Sequence, residues 1–274
     1  MRHGYFFPFF IGKEHSIQRG EKFGEKLFGI EIFQQNEEVI IRVFYPESAK
    51  ENEIKDLATK WAHAIGIFEN LEKMRKEFSE DKVYKVLEQT KGYHFIGSIN
   101  PFEILISAIV SQNIKAEKFR NLLEKMTKTL GEKFGEFYVF PPLQKIATSE
   151  EILKKLGFGY RAKYVTYVSG WLIKNAKTIN LHEPTNKLLR QLISIKSVGN
   201  YTATSFLLYG LKRYDAPLYD GLIRKICSGF LGKRIKNFSE FDTITWDSWG
   251  QWRGAIIAHL CVFYRIKNKL GRLV

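Results

Sequence analysis

Strict alternation of apolar and polar side chains, the pattern of a half-buried strand, is confined to one short part of this chain. Phe28-Gly29-Ile30-Glu31-Ile32-Phe33 follows it for part of its length, as does Glu38-Val39-Ile40-Ile41-Arg42-Val43-Phe44. Gln34–Glu37 separates the two, so the pair predicts an antiparallel hairpin. Tyr5–Ile11 reads as a third, aromatic-rich strand. From about Glu53 the apolar residues recur with helical spacing and continue to do so to the end. The expected fold is therefore mostly α with a small N-terminal antiparallel β domain. Residues 1–84 are read as that domain with flanking helices and residues 85–274 as a helical body.

Helix boundaries are marked locally. Asn100-Pro101 predicts an N-cap followed by proline at the first helical position, opening Phe102–Val110. Ser149-Glu150-Glu151 starts a helix that stops at Gly157, and Glu183-Pro184 begins the next. Trp249–Ile266 is expected to be one closing helix. No apolar run approaches the roughly 20 residues needed to cross a bilayer. The N-terminus lacks the charge and apolar core of a secretory signal, which predicts an intracellular protein, cytoplasmic or nuclear according to source. Cys227 and Cys261 are too few for a disulfide framework or the thiolates of an iron–sulfur cluster. The histidines, among them His63, His94, His182 and His259, show no metal-ligand spacing. Trp171 and Trp246 are assigned to core packing.

Charge is the unusual bulk property: 43 Lys and Arg stand against 29 Asp and Glu, a net of +14. Residues 1–100 hold 15 basic and 16 acidic side chains, so the remainder holds 28 and 13, a net of +15. Such an excess points to an anionic partner, nucleic acid or an acidic membrane surface, met by the C-terminal body.

Within that body, Leu188–Gly210 reads as two helices joined by a tight turn at Ser197-Val198-Gly199. Gly199 is expected to let the backbone turn and approach another surface closely. Unpaired N–H groups at the start of the second helix form an anion site beside Lys196. Such a hairpin can hold a DNA phosphate without reading sequence. Asp220 follows Gly199 by 21 residues and precedes Arg224.

The combination of hairpin, spacing and acid resembles the helix–hairpin–helix base-excision DNA glycosylase superfamily. Pro101-Phe102-Glu103 leading to Ser111-Gln112-Asn113 resembles the superfamily's helix and DNA-facing loop. Leu156-Gly157-Phe158-Gly159-Tyr160-Arg161-Ala162-Lys163-Tyr164-Val165 is similar to a segment of the 8-oxoguanine glycosylases, and Trp249-Gly250-Gln251-Trp252-Arg253-Gly254 to the 3-methyladenine glycosylase II branch.

The resemblance implies Asp220 as catalytic carboxylate and a base pocket with Tyr201, Ser205, Ile257 and Cys261. It implies DNA contacts by Gln112, Asn113, Lys196, Ser197, Val198, Gly199, Asn200 and Arg224. Asp215 is expected to organise the turn before Pro217. Bifunctional relatives carry a Schiff-base lysine two residues after the second hairpin glycine. Tyr201 occupies that position here, which implies a monofunctional enzyme. Tyr201 suits a cationic alkylated purine. Ile257 and Cys261 stand where the 8-oxoguanine family places its base-reading Gln and stacking Phe, which argues against that lesion.

The expected partner is double-stranded DNA with a damaged base, bound by a monomer and not by way of a membrane. No cofactor or iron–sulfur cluster is expected, a monovalent cation at the hairpin being the one ion considered. The alternatives are a glycosylase for 8-oxoguanine or mismatched bases, and a non-catalytic DNA-binding or lesion-sensing protein.

Overall fold

The computed structural model describes residues 10–11, 16–36 and 38–270. The predicted hairpin is present: β3 (Lys26–Gln35) pairs antiparallel with β4 (Glu38–Phe44), from Gln35 opposite Glu38 to Gly29 opposite Phe44. Asn36 adopts φ 53°, a left-handed turn conformation that its short side chain tolerates. β2 (Ile17–Phe23) lies along the other edge of β3, and β1 (Phe10–Ile11) extends the sheet in the order β1-β2-β3-β4. Phe10 and Ile11 thus belong to a strand as read; Tyr5–Phe9 lie outside the described residues.

One face of the sheet carries Ile17, Phe28, Ile30 and Ile32, which pack with Leu57 and Trp61 of α1 (Glu51–Ala64) into a small core. Glu53, in the first turn of α1, accepts the Lys50 N–H at 2.7 Å. A separate, larger core begins at Leu71 and Met74 and takes in the helices that follow. These are α2 (Glu72–Glu77), α3 (Tyr84–Gln89), α4 (Pro101–Val110), α5 (Ala116–Leu130), α6 (Leu143–Ala147), α7 (Glu150–Lys155) and α8 (Arg161–Asn175). They continue with α9 (Thr185–Ser194), α10 (Asn200–Ser205), α11 (Gly221–Leu231), α12 (Phe238–Trp249) and α13 (Arg253–Leu270). α4 runs through the middle of this core, with Ile104–Val110 wholly buried. The Asn100 side chain caps it by accepting from the Phe102 N–H at 3.1 Å, and Pro101 opens it as expected.

β2 has no counterpart in the sequence reading, and two further features depart from it. A short hairpin, β5 (Lys133–Phe134) with β6 (Phe137–Tyr138), interrupts the stretch expected to be purely helical. The closing helix is present but starts later than Trp249: Gly250 takes φ 49° and ψ −130°, and one 3₁₀ turn separates α12 from α13. The break lets the chain restart against the 214–216 loop, where Gly254 donates to the Tyr214 carbonyl at 2.7 Å. A Cβ on Gly254 would lie 2.2 Å from the Ala216 carbonyl oxygen, so only glycine permits this approach.

The sheet is joined to α4 by a buried ion cluster. The Arg19 guanidinium donates to both oxygens of Glu103, at 2.8 and 3.2 Å, and lies 3.0 Å from Glu21. Ser98 also donates to Glu103, at 2.6 Å. Burial pushes the Glu21 carboxyl up to about 7, and repulsion from Glu103 opposes the lowering effect of Arg19.

The folded chain therefore holds this proton at pH values where the unfolded chain, ionising near 4.5, has lost it. The resulting stability is fully present below pH 4.5 and is lost as pH rises through about 7. Thermal melts should show Tm falling by roughly a few degrees between pH 5 and 7.5. Glu21→Gln should flatten that slope; an identical slope in both proteins would contradict this assignment.

Candidate active site

The helical hairpin forms as the sequence indicates. α9 buries Leu188, Leu189 and Leu192, and Ile195 and Val198 anchor the turn between α9 and α10. The backbone conformation differs from expectation, however. Gly199 is extended (φ −97°, ψ −179°), whereas Ser197 takes φ 75°. A non-glycine residue in that left-handed region costs about 1–2 kcal/mol. Gly199 is exposed, and a Cβ there would meet nothing within 4 Å. Its lack of a side chain therefore answers to no internal crowding and leaves the backbone open to an approaching surface.

Two loops converge on the start of α10. From the end of α4, Ser111 lies 3.3 Å, oxygen to oxygen, from the Tyr201 hydroxyl, and the Gln112 amide donates to Thr202 Oγ1 at 3.0 Å. Asn113 takes φ 53° and donates to the Tyr160 hydroxyl at 3.3 Å. Buried Arg161 donates to the Gln112 carbonyl, with Nε at 2.9 Å, so the Gly157–Arg161 segment acts as a strut beneath this loop.

The second loop carries Asp220, the N-cap of α11, whose Oδ1 accepts from the Ile223 N–H at 2.7 Å. Its position is fixed from behind. Thr185 donates to the Asp215 carboxylate at 2.8 Å, and Arg253 Nε donates to the Asp215 carbonyl at 2.6 Å. Ala216 and Leu218 are buried. Asp215 thus organises the approach to Asp220, as anticipated.

Together these loops and α13 enclose a cleft of about 1150 Å³. Gln112, Asn113, Gly199, Asn200, Tyr201, Asp220 and Cys261 all line it. Lys196, Ser197 and Val198 lie on the hairpin turn outside its walls; Lys196 is exposed, its ammonium 5.9 Å from the Tyr167 ring centre.

Other assignments require correction. Ser205 and Ile257 are wholly buried and do not line the cleft. Ser205 sits one turn beneath Tyr201. Ile257 is out of phase with Ala258, Cys261, Val262 and Arg265, the spacing that brings α13 to the cleft. Arg224 does not point into the cleft: its guanidinium donates to the carbonyls of Ile235 and Lys236 and holds the loop after α11. Trp246 is 49% exposed, with the Arg253 guanidinium 5.0 Å from its ring centre, and is not a core residue. Trp171 does pack against the large core.

Burial, with repulsion from Asp220, pushes the Cys261 thiol up to about 12, so it is neutral. Cys227 is buried and likewise raised. His259 is pulled down to about 3 by burial and pairs with the Thr90 hydroxyl at 2.6 Å, a packed neutral ring. No metal-ligating cluster occurs among the described residues.

The sequence reading missed Tyr93, Tyr209, Tyr219, Tyr264 and Arg265, which also line the cleft. Tyr209 follows Tyr201 on the same helical segment, but a π turn at Phe206–Gly210 changes the helical period there. Tyr93 stands in a loop with no motif.

Architecture and site together define the fold of the helix–hairpin–helix base-excision DNA glycosylases. The chain superposes on the Clostridium acetobutylicum 8-oxoguanine glycosylase/lyase bound to double-stranded DNA, with TM-score 0.81 and 20% identity, over 97% of this chain and 90% of that one. The 3-methyladenine DNA glycosylase of Archaeoglobus fulgidus matches with TM-score 0.78 and 18% identity, over 94% of this chain and 90% of that one. In sequence, N-glycosylase/DNA lyase OGG1 of Arabidopsis thaliana is 28% identical over 149 residues, which are 48% of this chain and 39% of that protein. The chain's matches span about half the length of the curated relatives or less. No family model matches. Relatives and structural neighbours are thus glycosylases of this superfamily, of both the 8-oxoguanine and 3-methyladenine types.

Proposed function

We propose that this chain is a monofunctional DNA glycosylase of base-excision repair that releases an alkylated purine from double-stranded DNA. The observation that carries this reading is the joint placement of Asp220 and Tyr201 on one cleft beside the hairpin. A damaged nucleotide rotated out of the duplex, at a cost of about a few kcal/mol, would enter that cleft. The sugar gains oxocarbenium-like charge as the N-glycosidic bond breaks, and the Asp220 carboxylate would stabilise it and orient the attacking water.

The ring of Tyr201 offers a face for stacking and cation–π attraction to a methylated base, worth about 0.5–2 kcal/mol. A phenol cannot form a Schiff base, so no strand cleavage should accompany base release. The hairpin, with Gly199 exposed and Lys196 beside it, suits sequence-independent phosphate contact.

A second reading, removal of 8-oxoguanine, draws on the Asn113–Tyr160 and Gln112–Arg161 contacts, built from the segment that resembles that branch. Against it stand Ile257 in the core and Cys261 as a neutral thiol.

Duplexes carrying 7-methylguanine or 8-oxoguanine, assayed for free base with and without alkali, separate these readings. The expected result is free base and strands that break only after alkali, with no adduct trapped by borohydride. A borohydride adduct would mean that a lysine acts as nucleophile and would overturn the monofunctional assignment.

A further inference from the structure

Three elements that are remote in sequence place neutral polar groups at the inner wall of the cleft. Tyr93 comes from the loop between α3 and α4, Tyr209 from the π turn after α10, and Cys261 from α13. Both tyrosines are 4% exposed, yet both line the cleft, and their hydroxyl oxygens lie 3.0 Å apart. The Tyr93 ring packs edge-on against Phe95 and His259, each at 5.2 Å between centres, so the hydroxyl is held in place. Burial raises both phenols above their ordinary range, which keeps them protonated and able to donate. Arg265, one turn beyond Cys261 on the same face of α13, lines the cleft as well.

Resting on the glycosylase reading, we propose that Tyr93 is a specificity-determining residue whose hydroxyl donates to a ring carbonyl of the flipped purine. With Tyr209 donating to Tyr93, the Tyr93 proton is left to meet an acceptor oxygen, and an amino group in that place would leave it unpaired. Guanine-derived lesions keep a carbonyl on the six-membered ring; adenine-derived ones carry an amine there instead. A buried polar group matched to one substrate atom discriminates strongly against an analogue that lacks it, because the protein group is then left unpaired. Asp220 serves the sugar, and the Tyr93–Tyr209 pair selects the base.

The test uses the full chain and DNA treated with a methylating agent, which carries 7-methylguanine and 3-methyladenine in one substrate. Released bases are quantified by mass spectrometry, with 8-oxoguanine duplexes run in parallel. Tyr93→Phe keeps the ring and deletes the hydroxyl. It should slow release of 7-methylguanine by about tenfold or more relative to release of 3-methyladenine. Affinity for a duplex with an abasic site, which has no base to read, should change far less. Tyr209→Phe, which removes the support for Tyr93, should move the same ratio in the same direction and provides the test if Tyr93→Phe does not fold.

Equal slowing of both bases, no slowing of either, or a wild-type preference for 3-methyladenine would each overturn the proposal. A wild-type protein that binds lesion-bearing DNA but releases no base would overturn the glycosylase reading beneath it, a result distinguishable from the others.

Discussion

Replacing Asp220 by asparagine should abolish base release while leaving the fold and DNA binding intact. Asp220 does two jobs: one carboxylate oxygen caps α11 through the Ile223 N–H at 2.7 Å, and the side chain lines the cleft. Asparagine caps a helix about as well as aspartate. The substitution therefore removes the negative charge and little else. Loss of a group placed to stabilise developing charge costs on the order of 10²–10³ in rate, and Asp220→Asn should lose at least that much in single-turnover base release.

Asp220→Ala should lose the activity and, in addition, about 1 kcal/mol of stability from the missing cap. Thermal melts and fluorescence anisotropy on the same preparations separate the two effects. Turnover by Asp220→Asn at the wild-type rate would show that the carboxylate is only a cap.

The largest effect on stability should come from Glu103→Ala. Glu103 is the bidentate partner of Arg19, and both are buried at the junction between the sheet and α4. Removing one member of a buried pair leaves an incompletely compensated charge and costs about 3–5 kcal/mol. Glu21, 3.0 Å from Arg19, compensates only in part, because its own burial opposes its ionisation even when the repulsion from Glu103 is gone. Urea unfolding should show that loss, whereas replacing Arg19 and Glu103 together by apolar residues of similar size should cost much less. A loss below about 1 kcal/mol for Glu103→Ala would mean that the ion pair does not hold the sheet on the helical body.

What could be read from the sequence depended on whether the determinants were local. The β3–β4 hairpin, the Asn100 cap and the α9–α10 hairpin each rest on residues within a few positions of one another. β2 escaped notice because Gln18-Arg19-Gly20-Glu21-Lys22 is polar, and the partner that lets Arg19 be buried lies on α4. Asp220 could be found because its spacing from the hairpin is itself a pattern.

Ser205 and Ile257 were misplaced because spacing without helical phase cannot tell the cleft face of a helix from its core face. Ser197 took the strained turn conformation that had been assigned to Gly199, since a glycine is conspicuous in sequence even where its backbone is extended. Tyr93 and Tyr209 meet only in three dimensions, 116 residues apart.

The central claim is that the cleft shared by Asp220 and Tyr201 releases a damaged base by hydrolysis. Product analysis of a 7-methylguanine-containing duplex under single-turnover conditions tests it most directly. The expected products are free 7-methylguanine and an intact strand with an alkali-labile abasic site, and neither should form with Asp220→Asn. Release undiminished in Asp220→Asn, or strand cleavage by the wild type without alkali, would contradict it.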